Sequence, residues 1–391
     1  MKLLVKMFSK LANWSFLGAI VLVFNLFLLD IYSIYPCDWP CPDCSDENFV
    51  KVMILSDPHL LGKRKGHPVD QFTREWEMSI AFQLAKSIRK PDVIIFLGDL
   101  LDEGLTVDEN GFDKYVDRFE KIFSIEDPIE KIFIVGNHDI GFHDRVAAYP
   151  YLRKRWEKAF NSSLAKLVTI KGIKFISINS MAIEGADFSL VQEMENYLSV
   201  VDEQLTKSNL PGDPILLLHF PLYRINDDIC HEIDSQKGQD RLNNFTPGVE
   251  SLSKRTSDNL LERYRPRLIF NGHIHSGCVV NHTKHDSQEW TVASFNWRNR
   301  QDPNYLLLQI SPNDHSIVKC FLPTEISIVI TSILCLITLC VSTKIMGKLV
   351  DSHSPKSQPK SKPKDNKKKD KENHKPVSKG EIKKRKSKEK N

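Results

Sequence analysis

The chain has 391 residues and a formal net charge of +4. A hydrophobic content of 41% excludes wholesale disorder, and 17 Gly with 20 Pro exclude collagen-like and Pro/Gly low-complexity chains. The near-neutral total hides a segregation: the last 48 residues, from Lys344, hold 18 Lys and Arg against 6 Asp and Glu, so the other 343 hold 36 against 44. One end is a polycation and the body is an acidic globule large enough to bury a full core.

In chain order, the first feature is an uncharged stretch of 19 residues between Lys10 and Asp30, with its apolar centre at residues 16–29. A second, of 18 residues, lies between Glu325 and Lys344. A helix needs about 20 residues to cross a bilayer, so both are long enough. No small-x-small cleavage site follows the first stretch, which predicts an uncleaved anchor. Lys2, Lys6 and Lys10 precede the first span and Lys344 and Lys348 follow the second. The excess of Lys on the cytosolic side of spans then places both termini in the cytosol and the body outside it. The expected layout is a cytosolic N-terminus (1–10), a transmembrane helix (11–34), a lumenal domain (35–322), a second transmembrane helix (323–343) and a basic, disordered cytosolic tail (344–391). Three glycosylation acceptors, at Asn161, Asn244 and Asn281, all fall in the body. So do six of the eight cysteines: Cys37, Cys41, Cys44, Cys230, Cys278 and Cys320. The Cys37–Cys44 cluster lacks a fourth nearby ligand and C-x2-C pairs, which favours disulfides over zinc; the spacing leaves their connectivity open.

Within the body, short apolar runs at 52–55, 93–97, 132–135, 175–178, 215–218 and 268–270 read as buried strands. Helical spacing covers 72–89, 112–123 and 190–205, the last after Asp187 as a candidate N-cap. Beyond Gly272 the pattern turns to strands, at 289–293, 305–310 and 316–322. Alternating β and α with a β-rich end predicts a layered α/β (α+β) domain.

Five of these strand ends carry metal-ligand residue types in the order Asp57-Pro-His59, Gly98-Asp99-Leu-Leu-Asp102, Gly136-Asn137-His138-Asp139, His219 and Gly272-His273-Ile-His275. Each alone is ordinary: Gly-Asp is a common turn, and a lone histidine in an apolar run is usually a satisfied core residue. Together they deliver carboxylate, amide and imidazole donors to the C-terminal edge of one sheet system, where such folds place their sites. Two divalent cations about 3.5–4 Å apart can clamp a phosphoryl group, and a bridging carboxylate offsets their repulsion. Imidazole mixed with oxygen donors suits Mn, Fe or Zn better than Mg or Ca.

The series resembles the calcineurin-like metallophosphoesterase superfamily, whose pattern is DxH, GDxxD, GNHD, a lone H and GHxH. The resemblance implies a double β-sandwich flanked by helices, here with two transmembrane helices. It implies that Asp57, His59 and His275 hold one metal, that Asn137, His219 and His273 hold the other, and that Asp99 bridges. It makes His138 the catalytic imidazole, with Asp139 orienting it and Asp102 in support. No tyrosine stands at Leu100 to Asp102, so an iron(III)–tyrosinate site is not expected; two divalent ions are, Mn2+ first, with Zn2+ or Fe2+ as alternatives. The two-span layout and the runs SDPHLLG and GDLLDEG are similar to a membrane-anchored branch of the superfamily that remodels glycosylphosphatidylinositol (GPI) anchors. That likeness implies a phosphodiesterase of the ER, ER exit sites, ER–Golgi intermediate compartment and Golgi. It would remove an ethanolamine-phosphate branch from a mannose of GPI-anchored proteins and promote their export. Partners would be GPI-anchored proteins and, at the tail, cargo-sorting or coat machinery, with no nucleic acid. Arg224 and residues 227–240 either shape the pocket or form a solvated loop. The rival readings are a two-metal phosphatase for another lumenal phosphoester, nucleotide or phospholipid, and a non-enzymatic scaffold.

Overall fold

The computed structural model describes residues 2–40, 49–64, 66–185 and 187–353. The chain opens with helix α1 (Lys2–Ile34), then β1 (Val50–Leu55), α2 (Pro68–Arg89), β2 (Val93–Phe96), α3 (Glu109–Ile122) and β3 (Glu130–Phe133). Three short helices, α4 (Asn137–Ile140), α5 (His143–Ala148) and α6 (Pro150–Phe160), lead to β4 (Ala165–Ile170) and β5 (Ile173–Ile178). Next come α7 (Ser180–Ile183), α8 (Phe188–Lys207), β6 (Ile215–Leu217), α9 (Lys254–Tyr264) and β7 (Leu268–Asn271). The end is β8 (Cys278–His282), β9 (Ser287–Thr291), β10 (Asn304–Ile310), β11 (His315–Phe321) and α10 (Glu325–His353).

Two sheets result, ordered β11-β10-β1-β2-β3 and β4-β5-β6-β7-β9-β8. In the first, β1, β2 and β3 are parallel, while β10 runs antiparallel to both β1 and β11, so β11 points the same way as β1. In the second, β5, β6, β7 and β9 are parallel, with β4 and β8 antiparallel at its edges. Alternate residues of both sheets, among them Val52, Ile54, Val93, Ile95, Phe175, Leu217 and Phe270, pack into one layer between them. The intervening residues, such as Met53, Ile94, Phe96, Ile176 and Leu216, face the helices. Burial on both faces is why the strands read as continuous apolar runs rather than as alternation. Each fully buried aliphatic or aromatic side chain contributes about 1.5–3 kcal/mol of transfer free energy. Phe96 is the hub of an aromatic cluster under α2 and α3, with ring centroids 5.2 Å from Phe119, 5.2 Å from Phe123 and 5.5 Å from Phe133.

Helix starts follow local chemistry. Asp187 accepts from the Leu190 amide at 3.0 Å as the N-cap of α8, as expected. Asp108 caps α3 through Gly111 N, and Pro68 stands at the start of α2. The expected strand at 132–135 is displaced to Glu130–Phe133, because β3 stops pairing at Phe96↔Phe133 and the chain then turns toward Gly136.

The two apolar stretches are helices with segments long enough to cross a membrane, Phe16–Ile34 and Glu325–Ile345. Helix α10 continues to His353, so Lys344 and Lys348 are still helical where a disordered tail was expected. The rest of the tail, together with Cys41 and Cys44, lies outside the described residues. Asn25 Nδ2 donates to Thr331 Oγ1 at 3.0 Å and to Ser332 Oγ at 3.1 Å, joining α1 to α10. Disulfides link Cys37 to Cys320 and Cys230 to Cys278. Zinc ligation at Cys37 is thereby set aside. Asn161, Asn244 and Asn281 are all exposed.

Candidate metal centre

All five motif ends meet at one edge of the sandwich. Asp57 and His59 follow β1, Asp99 follows β2, Asn137 begins α4 just after β3, His219 follows β6, and His273 and His275 follow β7. Ligand atoms of Asp57, His59, Asp99 and His275 lie within 4.8 Å of one another, and so do those of Asp99, His219 and His273. Asn137 Oδ1 joins the second group, 3.1 Å from His219 Nε2. Asp99 stands between the groups, with Oδ2 3.4 Å from His59 Nε2 and Oδ1 3.4 Å from His219 Nε2. One carboxylate thus offers an oxygen to each side, the geometry a bridging ligand needs.

The outward-facing atoms fix which imidazole nitrogens face inward. His219 Nδ1 is 2.7 Å from the Leu97 carbonyl and His273 Nε2 is 2.7 Å from the Val249 carbonyl. A carbonyl only accepts, so each of these nitrogens carries the proton, leaving His219 Nε2 and His273 Nδ1 as lone-pair donors toward the centre. His59 Nε2 and His275 Nε2 approach to 2.9 Å. A cation between them would draw a lone pair from each ring.

Five of these residues have left-handed backbone: Asp57 (φ 50°), His59 (43°), Asp99 (49°), His273 (71°) and His275 (63°). Asp, Asn and His are enriched in that region, but each non-glycine residue there still costs of order 1 kcal/mol or more. The motif glycines have a separate reason. A Cβ on Gly136 would collide with Asp99, and one on Gly272 with Ser56 and Asp57.

Burial and neighbouring charges act in opposite senses on different ligands of the centre. Burial resists protonation of His219, yet Asp99 and then Asp57 push its pKa up to about 9. Burial likewise opposes ionisation of Asp99, but the His219 and His59 rings hold it well below the ordinary carboxylate range. Burial and then the His219 ring push His273 down to about 3, and burial and then His59 hold His275 well below the ordinary imidazole value, so both rings are neutral donors suited to a cation.

His138 stands beside this centre, its ring 4.7 Å from that of His59. Burial would lower its pKa, but the Asp102 carboxylate, 3.3 Å from Nδ1, and then Asp99 push it up to about 9. His138 lines a cavity of about 290 Å³ with Arg64, Asp102 and Thr106. Asp139 does not take the expected place beside His138. Its Oδ1 accepts from Leu101 N at 2.9 Å and its Oδ2 from Gly136 N at 2.8 Å, so both oxygens hold backbone. Asp102 is the carboxylate next to the imidazole.

Arg224 turns inward rather than toward the pocket. It pairs with Asp227 at 2.8 Å and lies 3.8 Å from Glu289, which also accepts from Asn271, Leu222 N and His282. Sequence reasoning missed the segment 294–300. There, Ser294 Oγ donates to the Asp57 carbonyl at 2.7 Å, Asn296 Nδ2 to the Pro58 carbonyl at 2.6 Å, and Arg300 to the His275 carbonyl at 3.2 Å. These bonds hold the first and last ligand loops in place. In sequence the segment is Ser-Phe-Asn-Trp-Arg-Asn-Arg, in which polar residues are interleaved with the buried Phe295 and Trp297.

A family model described as calcineurin-like phosphoesterase matches residues 50–277. A metallophosphoesterase 1 homolog of Drosophila melanogaster is 37% identical over 358 residues, covering 84% of this chain and 94% of that protein. Metallophosphoesterase 1 of Gallus gallus is 38% identical over 329 residues, covering 78% and 82%. That of Danio rerio is 35% identical over 326 residues, covering 79% and 85%. No member of the metal-ligand set is missing, which removes the scaffold reading. The chain therefore belongs to the calcineurin-like phosphoesterases, as a metal-dependent phosphoesterase similar over most of its length to metallophosphoesterase 1.

Proposed function

We propose that this phosphoesterase is a phosphodiesterase of the ER–Golgi membranes that removes an ethanolamine-phosphate branch from a mannose of GPI-anchored proteins and so promotes their export. The observation that supports this most is the joining of a two-group metal site to two membrane-length helices in one compact unit (Met1–Val341), which suits a substrate that is itself tethered to a membrane. The body then lies in the lumen and both termini in the cytosol, with the basic tail available to sorting or coat machinery.

In this reading Asp57, His59, Asp99 and His275 hold one divalent ion, and Asp99, Asn137, His219 and His273 hold the other, with Mn2+ the expected metal. Bound there, the ions supply Lewis acidity toward the phosphoryl oxygens and lower the pKa of water. The residues of the chain do the rest. Asp99 keeps the two ligand groups in register. Asp102 holds the His138 ring with Nδ1 toward itself, and the opposite nitrogen donates a proton to the leaving alkoxide. Asp139 positions the Gly136–Asn137 turn through its backbone bonds.

The test is disruption of the gene in cultured cells followed by mass analysis of released GPI glycans. Accumulation of an additional ethanolamine phosphate on mannose is expected. An unchanged glycan profile overturns this substrate and leaves a nucleotide or phospholipid ester in its place.

A further inference from the structure

The second membrane-length helix leaves the domain at its catalytic edge. β11 points the same way as β1, so its C-terminal end lies at the edge that carries Asp57 and Asp99, and α10 starts there. Three contacts fix that start. The Trp297 indole donates to the Pro323 carbonyl at 2.8 Å, Glu325 N donates to the Gln301 carbonyl at 3.1 Å, and Arg74 of α2 pairs with the Glu325 carboxylate at 2.5 Å. Trp297 belongs to the stretch that braces the metal-ligand loops, and Gln301 directly follows Arg300, which holds the His275 carbonyl. A membrane crossed by α10 therefore meets the domain on the edge that carries the ligand loops and not at the opposite pole.

The same edge carries large apolar side chains that the fold does not cover. Phe72 and Val69, in the first turns of α2, are 69% and 65% exposed. They follow the loop that leaves His59, which presents the exposed cations Lys63 and Arg64. On the other flank, Ile229 and Ile233 are 51% and 72% exposed in the long loop after His219. That loop is fixed, not slack: Cys230 is bonded to Cys278, and Asp234 pairs at 2.5 Å with Lys319 of β11, close to the start of α10. Apolar side chains with cations beside them match the two layers of a phospholipid surface, acyl region and headgroup phosphate.

We propose that the catalytic edge docks onto the leaflet crossed by its own helices, with Phe72, Val69, Ile229 and Ile233 entering the interface and Lys63 and Arg64 meeting headgroup phosphates. The centre then works on phosphodiesters presented within a short distance of the bilayer surface. This rests on α1 and α10 being membrane spans, as in the reading above, and not on which lipid-anchored ester is cleaved.

The test uses the full chain in nanodiscs of phosphatidylcholine and phosphatidylserine, in a Cys335→Ser, Cys340→Ser background that serves as the dye blank. An environment-sensitive fluorophore is placed at Phe72→Cys, at Ile233→Cys, or at Val200→Cys, an exposed position on α8. Doxyl-labelled phosphatidylcholine should quench the first two several-fold more than the third. Equal quenching at all three overturns the proposal. A blue-shifted label that lipid does not quench also overturns it, in favour of a protein occupant. As a second readout, Phe72→Asp with Ile233→Asp should slow hydrolysis of a lipid-tethered phosphodiester about tenfold or more, the scale of gain that confinement to a surface supplies. Hydrolysis of soluble bis(p-nitrophenyl) phosphate should be unchanged, and equal loss on both substrates refutes docking. The label depth does not depend on substrate, so a failed GPI assay leaves this proposal standing and the reverse also holds.

Discussion

Gly136→Ala displaces the bridging Asp99, backbone and carboxylate together. Gly136 has φ −109° and ψ 172°, extended backbone that alanine adopts without strain. Its added methyl would lie 2.8 Å from Asp99 Cγ and closer still to Asp99 Oδ1 and N. Non-bonded contact begins at about 3.5 Å, so Asp99, its backbone included, must retreat by about 1 Å. A misplacement of that size costs about 100-fold in rate, or about 2.7 kcal/mol of transition-state stabilisation. The overpacked core itself should lose about 1–3 kcal/mol of stability, which a chain folded at 25 °C tolerates. The assay is kcat/KM on bis(p-nitrophenyl) phosphate with the purified full chain, alongside bound-metal content and Tm. Loss of activity with loss of one or both metals, in a protein that still melts cooperatively, is the expected result. Activity within about threefold of the parent with full metal content would refute the bridging geometry.

Three further outcomes are expected. His138→Ala should lower kcat with metal content retained. Because Asp102 beside Nδ1 favours the protonated imidazole, the parent should lose activity on the alkaline side of its pH profile, and the variant should lack this limb. Glu289 is buried, and although burial raises its pKa, His282 and then Arg224 hold it below the usual carboxylate value of 4.5. Its stabilising contribution is thus complete above pH 4.5 and is lost as pH falls through the folded pKa. Glu289→Gln should therefore melt lower at pH 7, by about 3 kcal/mol as for a broken buried pair, and show a weaker acid dependence than the parent. Cys37→Ser with Cys320→Ser removes a cross-link closing 283 residues of sequence. Loop entropy sets its contribution at up to about 5 kcal/mol, and a Tm equal to the parent's would refute that role.

The strand ends that carry the centre were legible because each motif sits where an apolar run stops, and both faces of those strands are buried. The partner of His138 was not legible. Asp139 is adjacent in sequence, but at the third position of the α4 turn its carboxylate reaches back to the Gly136 amide, as helix-start carboxylates do. Asp102 is 36 residues away and arrives only through the pairing of β2 with β3. The segment 294–300 supports the ligands through their backbone carbonyls, which no residue type in the ligand loops announces. Helix α9 escaped because Ser257, Leu260, Leu261 and Tyr264 are its only buried residues in an otherwise polar stretch. β8 escaped as an edge strand with one face half exposed. The cysteine pairings depend on where β11 and the loop after His219 come to lie, which spacing does not encode.

The order of the first sheet bears on how the protein is made. β1 is central, between β2 and β10, yet Val52 pairs with Leu308, 256 positions later. At about 5–20 residues per second of synthesis, roughly 13 to 50 s separate a strand from its partner. For that interval β1, β2 and β3 can assemble with one backbone edge bare, a row of donors and acceptors open to the wrong strand. Residues 294–300 and 320 are made in the same late window, so neither the first ligand loop nor Cys37 finds its partner until the chain is nearly finished. Synthesis of the second membrane-length helix follows within a few residues of β11. Completion of the metal centre and synthesis of the second membrane-length helix are consequently one late event, and the nascent body is a natural client for chaperones until it occurs.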